Sequence, residues 1–302
     1  MGAWEGRPVG PLLKPGDAVA VVAPASAPDE GKLAAGLAVL SSWGLRPELM
    51  WEPWEAEEYL AGPDDVRAER LSAALADPAF RAVWAARGGY GTGRIAGLIR
   101  WPATPRSPAS QACPLLIGFS DITLLFGLPE RIGCRCLHGP NVTTLARVDA
   151  VSLEALRALL FDGVLPDYGP LEAVCGGTAE GPLLPMNLSL LASSMGTRLE
   201  PDPSGGILVV EEVHEAPYRV DRLLRQVAGA RWFPRLAGLA VGDMDRALDS
   251  PTLFRTLAEV AAEARIPTVL GFPVGHGPHN LPIPVGATAR LDARAGRLCL
   301  ID

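Results

Sequence analysis

Leu115-Leu116-Ile117-Gly118-Phe119-Ser120-Asp121-Ile122-Thr123 (residues 115–123) is the stretch whose reading decides the fold. The run Cys113 to Ile117 is short and apolar, the pattern of a strand buried on both faces. From Asp121 to Ile132, apolar residues fall at Ile122, Leu124, Leu125, Leu128 and Ile132, which is helical spacing. A serine at that junction stands on an elbow clear of the sheet. There, backbone N–H groups at a helix N-terminus favour developing negative charge. The plain alternative is that Ser120 only caps its helix. The segment also departs from the G-x-S-x-G form, because Ile122 stands where the last glycine belongs.

On the N-terminal side, short apolar runs alternate with helical patterns. Ala18 to Pro24 reads as a buried strand, Glu30 to Leu45 as an amphipathic helix and Arg46 to Met50 as a strand. Asp64 to Ala76 is helical, Phe80 to Ala86 a strand and Thr92 to Arg100 another helix. Repeated β-α units of this kind predict a mainly parallel sheet covered by helices on both faces. Right-handed crossovers then bring the loops after the strands, Ser120 included, to one sheet edge.

From about Arg147 the texture changes. Val151 to Leu160 is a helix, and Asp162 to Gly181 is rich in Gly and Pro, as a linker would be. Beyond it, strands are predicted at 206–213, 236–242 and 268–272, with helices at 219–229 and 251–264. The end, Gly286 to Asp302, alternates around Ala295-Gly296 like a closing hairpin. The fold class is therefore α/β with two domains: an N-terminal domain (1–150) carrying the elbow, a linker (151–180), and a smaller C-terminal domain (181–302) with a mixed sheet.

At 302 residues and 48% hydrophobic content, the chain can bury two cores of ordinary size. A net charge of −7 without any basic block argues against a nucleic-acid partner. Five cysteines with no CxxC pair predict reduced thiols in a cytoplasmic protein. The first twenty residues carry Glu5, Arg7, Lys14 and Asp17 and no apolar core of a signal peptide. Met1-Gly2 invites myristoylation, but Gly6 replaces the required Ser or Thr. No run is long enough to span a membrane, so no membrane partner is expected.

A serine nucleophile needs a base, and the base needs an acid to hold its tautomer. The histidines are His138, His214, His276 and His279. Apolar Ile207 to Val210 runs into Glu211-Glu212, which puts carboxylates at a strand's carboxyl end. Gly271-Phe272-Pro273-Val274-Gly275-His276-Gly277 puts a histidine just past another strand, in a glycine-rich loop. Both are positions where α/β sheets keep their sites.

Several long segments then resemble the LD-carboxypeptidase family of serine peptidases, which includes muropeptide LD-carboxypeptidases and microcin C immunity peptidases. They are VAPAS (22–26), LADPAFRAVWAARGGYGTGRI (75–95), LLIGFSDIT (115–123), HGP (138–140), AEGPLLPMNLSLLASSMGT (179–197), ILVVEEVHEAPYRVDRLL (207–224) and GFPVGHGPHNLPIPVGATARLD (271–292). The resemblance implies a serine in the N-terminal domain, a glutamate and a histidine in the C-terminal domain, and a site at their interface. It also implies no metal or other cofactor, and a homodimer.

By that resemblance Ser120 is the nucleophile, His276 the base and Glu211 the acid, with Glu212 replacing the family's aspartate. Neighbours on a strand point to opposite faces, so only one of the two glutamates can serve. The oxyanion hole would use the N–H of Asp121 and one from Arg87-Gly88-Gly89-Tyr90-Gly91, with Gly89 preferred. Arg87, Arg219 and Arg222 are candidates for a substrate carboxylate, and equally for structural ion pairs. Tyr90 and Asn187 are further substrate-binding candidates. The chain departs from the family in carrying Pro185-Met186, where Gly-Gly usually precedes the asparagine.

Other motifs fail. The glycine loop 88–93 lacks the Lys-Ser/Thr of a phosphate loop, and His214-Glu215 is not part of HExxH. His276 with His279 lacks a suitably spaced third metal ligand, and His138 beside Gly139-Pro140 reads as structural. The resemblance points to removal of D-alanine from murein tetrapeptides, a small-peptide substrate. The alternatives are a microcin C-type immunity peptidase, a metal-dependent amidase and, in another class, an inactive peptide-binding protein.

Overall fold

The computed structural model describes residues 10–102, 113–128, 133–245, 247 and 250–301. Backbone contacts divide the chain into two compact units, Val9–Val164 and Leu165–Asp302. Ile132, Met1, Gly2, Glu5 and Arg7 lie outside the described residues.

In the first unit, β1 (Ala18–Val22), β2 (Arg46–Leu49), β3 (Phe80–Ala85), β4 (Leu115–Gly118) and β5 (Cys136–His138) pair in parallel in the order β5-β4-β3-β1-β2. The order reverses between β1 and β3, the kind of switch point beside which open α/β sheets keep their sites. Residues of β1, β3 and β4 such as Val21, Trp84 and Ile117 are fully buried, as a sheet covered on both faces requires. Helices α1 (Glu30–Ser42) and α2 (Asp64–Ala76) follow β1 and β2. Asp29 caps α1 by accepting from the Lys32 N–H, and Leu71 and Leu75 of α2 pack into the core.

Two predicted helices are shorter than their patterns. Instead of Thr92 to Arg100, α3 is only Thr92–Ile95, because Gly93 and Gly97 weaken a longer helix. After Ser120 comes a 3₁₀ turn, Ser120–Ile122, and then α4, Thr123–Phe126, which Gly127 ends. A helix this brief offers little macrodipole, so any stabilisation of charge at Ser120 falls to individual N–H groups. The unit is completed by α5 (Val142–Leu145) and α6 (Ala150–Asp162). The reduced-thiol expectation is corrected at one pair: Cys113 and Cys134, leading into neighbouring strands β4 and β5 with Cα atoms 5.2 Å apart, form a disulfide.

The second unit holds a seven-stranded mixed sheet. Its parallel core is β7 (Thr178–Asn187), β8 (Ile207–Glu211), β9 (Gly238–Val241) and β10 (Thr268–Leu270). On one side β6 (Glu172–Cys175) adds antiparallel to β10. On the other, the hairpin Thr288–Asp292 and Arg297–Leu300 adds antiparallel to β7. Part of the stretch read as linker is therefore strand, since only Gly176-Gly177 separate β6 from β7. Helices α7 (Leu188–Ser194), α8 (Pro217–Gly229) and α9 (Pro251–Ala264) flank the sheet. Val220 and Leu224 of α8, with Leu257 and Val260 of α9, supply buried apolar faces. Among the described residues no helix is long and apolar enough to cross a membrane.

Candidate active site

Ser120 adopts φ of +62°, in the left-handed region that a non-glycine residue enters at a cost. The surroundings hold it there. The Asn141 side chain clamps the preceding residue: the Phe119 N–H donates to Asn141 Oδ1 at 3.2 Å, and Asn141 Nδ2 donates to the Phe119 carbonyl at 3.3 Å. Thr123 Oγ1 donates to the Ser120 carbonyl at 2.7 Å. Gly118 keeps the elbow tight, since a Cβ there would lie 2.9 Å from Ile122 Cγ2. A buried strand thus ends in a strained turn with the serine at its apex.

The glycine-rich loop after β3 lies against this elbow. A Cβ on Gly88 would sit 3.0 Å from Ser120 Cβ and 3.2 Å from its Oγ. Gly89 has φ of +97°, and a Cβ there would come 2.5 Å from Ser26 Oγ. Ser26 ties the loop to the end of β1: its N–H donates to the Gly88 carbonyl at 3.2 Å, and the Tyr90 N–H donates to its Oγ at 3.1 Å. Nothing in the sequence marks Ser26 beyond its place at the end of the VAPAS segment. Asp121 is buried, and its Oδ2 accepts from the Thr92 N–H at 2.7 Å and from the Thr92 hydroxyl. Burial pushes its carboxyl pKa up, against the opposing pull of the Thr92 bonds. Arg87 is exposed, and its Nη1 donates to the Ala27 carbonyl at 2.7 Å. Tyr90 is half exposed and meets Tyr59 edge-on, with centroids 5.5 Å apart.

In the second unit, Glu211 ends β8 and His276 follows β10 in its glycine-rich loop. Glu211 Oε2 lies 2.7 Å from His276 Nδ1, with the carboxylate buried and the ring mostly so. Asn187 Nδ2 donates to Glu211 Oε1 at 3.2 Å and to Glu212 Oε1 at 3.1 Å. The remaining bonds of the Glu212 carboxylate are to backbone, accepting from the Ser189 N–H at 2.7 Å and the Val213 N–H at 2.9 Å. It satisfies the start of α7, a structural task. Asp243 likewise carries no motif in the sequence. Its Oδ2 accepts from the Gly277 N–H at 3.1 Å, beside the imidazole. Burial disfavours the charged ring, but the Glu211 hydrogen bond and the charges of Glu211, Glu212 and Asp243 outweigh it. The His276 pKa is therefore raised above its ordinary value.

Other candidates have local partners. Arg219 Nη1 reaches Glu215 at 3.4 Å, and Arg222 lies 5.6 Å over the Tyr218 ring. His138 is buried on β5 and meets Phe119 edge-on at 5.8 Å. His214 occupies a turn with φ of +61°, and His279 is exposed. Pro185 and Met186 are buried in β7 beside Val209 and Val210. Among the described residues no three acidic, His or Cys side chains gather as a metal site would need.

A serine on a strained elbow and an imidazole held by a buried carboxylate are the parts from which serine hydrolases are built. Residues 19–139 match the LD-carboxypeptidase N-terminal domain and residues 180–291 the LD-carboxypeptidase C-terminal domain. The chain is 37% identical to a putative carboxypeptidase of Streptomyces coelicolor, covering 95% of this chain and 94% of that one. It is 34% identical to the murein tetrapeptide carboxypeptidase of Pseudomonas aeruginosa, covering 91% and 92%. Among solved structures, it resembles a muramoyltetrapeptide carboxypeptidase from Oxalobacter formigenes, with a TM-score of 0.75 at 27% identity over 93% of this chain and 97% of that one. It shares its fold with the microcin C7 self immunity protein, at a TM-score of 0.82 and 19% identity over 97% and 98%. The chain belongs to the LD-carboxypeptidase family of serine peptidases, and it is a carboxypeptidase.

Proposed function

We propose that this carboxypeptidase removes the terminal D-alanine of murein tetrapeptides by acyl transfer through Ser120, His276 and Glu211. The observation that carries this reading is the 2.7 Å contact between His276 Nδ1 and Glu211 Oε2. With Nδ1 donating to the carboxylate, Nε2 becomes the basic nitrogen. Ser120 Oγ attacks the amide carbonyl carbon as its proton passes to His276 Nε2. The N–H groups of Gly89 and Asp121 receive the oxyanion. The C–N bond then breaks, the same proton goes to the leaving amine, and water releases the acyl group by the reverse proton path.

For the free carboxylate of the leaving residue we favour Arg87, which adjoins the glycine against Ser120 and uses one nitrogen on Ala27. Tyr90 would flank the peptide, and Arg219 is the second choice because Glu215 already occupies it. Asn187 is assigned to holding Glu211, since its amide serves the two glutamates. A homodimer in the cytoplasm, where recycled muropeptides occur, completes the proposal. Light scattering on the purified protein tests the oligomer.

The test of function offers a murein tetrapeptide, the pentapeptide and a microcin C-type conjugate side by side. Release of D-alanine from the tetrapeptide alone supports the proposal. Cleavage of the conjugate alone moves the protein to the immunity branch, and binding without turnover makes it a peptide-binding protein.

A further inference from the structure

Arg67 lies on α2, far in sequence from the proposed site, yet it is 3% exposed. A guanidinium withdrawn from water must have its donors satisfied, and here three backbone carbonyls and one carboxylate satisfy them. Nε donates to the Gly62 carbonyl at 2.9 Å, while Nη1 donates to the carbonyls of Gly91, at 3.1 Å, and Pro24. Nη2 pairs with Asp64, which Arg94 also holds, with Nε 2.9 Å from Asp64 Oδ1. One planar fork therefore ties together the loop after β1, the end of the glycine loop after β3 and the approach to α2.

The next residue of the glycine loop is held from another direction. The Thr92 N–H and hydroxyl both go to Asp121, the neighbour of Ser120. Residues 91 and 92 are thus fixed by Arg67 and by the serine elbow together, and Ser26 fixes residues 88 and 90. We propose that Arg67 is a positioning residue for acyl transfer, setting the glycine loop so that its N–H faces the oxyanion before substrate arrives. The proposal rests on the reading of Ser120 as nucleophile and Gly89 as oxyanion donor. Oxyanion donors act only when preorganised, so a shifted loop weakens the transition state more than the bound substrate. Lysine keeps the charge but is a compact point donor without the planar fork that reaches these carbonyls together.

The experiment measures kcat, KM and melting temperature on the full chain for Arg67→Lys and Asp64→Asn, with Ser120→Ala alongside. In Arg67→Lys, kcat should fall about 10²-fold with KM little changed, as a small misplacement of reacting groups would cause. Asp64→Asn, which loosens the guanidinium from the surface side, should give a smaller fall in the same sense. A folded Arg67→Lys protein with wild-type kcat overturns the proposal, whatever its melting temperature. If Arg67→Lys does not fold, Asp64→Asn decides, and an unchanged kcat there overturns it. Retained activity in Ser120→Ala is the separate result that removes the nucleophile reading, and this proposal with it.

Discussion

Glu211 Oε2 holds His276 Nδ1 at 2.7 Å, and that contact decides how the imidazole ionises. The ring is partly buried, which by itself would make it less basic. The carboxylate reverses the sign, helped at longer range by Glu212 and Asp243. Asn187 occupies the other oxygen of Glu211, so the carboxylate is fixed at both ends.

A base must be neutral to accept a proton, so the acidic limb of kcat/KM should lie above the ordinary imidazole pKa of about 6.5. Glu211→Gln removes the hydrogen bond to a charged partner, so the limb should move to lower pH while kcat falls. The raised pKa also means that protonation of His276 stabilises the fold fully below the unfolded pKa. That contribution fades as pH rises through the higher, folded value. Rate profiles for the two proteins, with melting temperatures across the same range, check both signs.

Glu211→Ala and Glu212→Ala should fail in opposite ways. Loss of Glu211 strikes kcat, because the imidazole loses its orienting acceptor. Loss of Glu212 strips acceptors from the partly buried amides of Ser189 and Val213, and should destabilise by roughly 2 kcal/mol. Its effect on kcat should be the smaller. Denaturant unfolding paired with kcat for each variant tests the division, and equal kcat losses would count against it.

With Ser120 as the proposed nucleophile, Ser120→Ala should lose turnover by several orders of magnitude and keep its fold, because the members of a triad act as a unit. Ser120→Gly should be equally inactive but more stable than Ser120→Ala, by on the order of 1 kcal/mol. Glycine adopts the observed φ of +62° without the Cβ penalty. Unfolding curves for the pair measure the elbow strain directly, and a less stable glycine variant would contradict it.

The α/β class is legible because its buried strands are uniform: Ala18–Val22 is apolar throughout and α2 and α9 have clear faces. β5 escapes notice because three residues carry no periodicity. β7 escapes because Gly181, Pro182 and Pro185 read as breakers. The strand accommodates Pro185 where the antiparallel ladder has ended at Pro182, leaving β8 as its partner in the ladder. Of the candidate site, Ser120, Glu211 and His276 are marked by their places at strand ends. The roles of Asn141, Ser26 and Arg67 are invisible, because each acts through backbone carbonyls or amides that only the folded loops bring within reach.

Gly88→Ala probes the meeting of the glycine loop and the elbow. Its new Cβ would lie 3.0 Å from Ser120 Cβ, 3.2 Å from Ser120 Oγ and 3.2 Å from the Phe119 carbonyl. None of these atoms is the free end of a long side chain, so the loop and the serine must part by a few tenths of an ångström. Phe119 is clamped by Asn141 and Gly88 by Ser26, so the displacement should fall on the serine hydroxyl and the proposed oxyanion donors. Catalysis depends on that spacing far more than folding does, and kcat should drop about 10²-fold while the protein still folds. Activity and melting temperature on the same preparation test this. A Gly88→Ala protein with wild-type kcat would show that the loop stands clear of the reacting atoms.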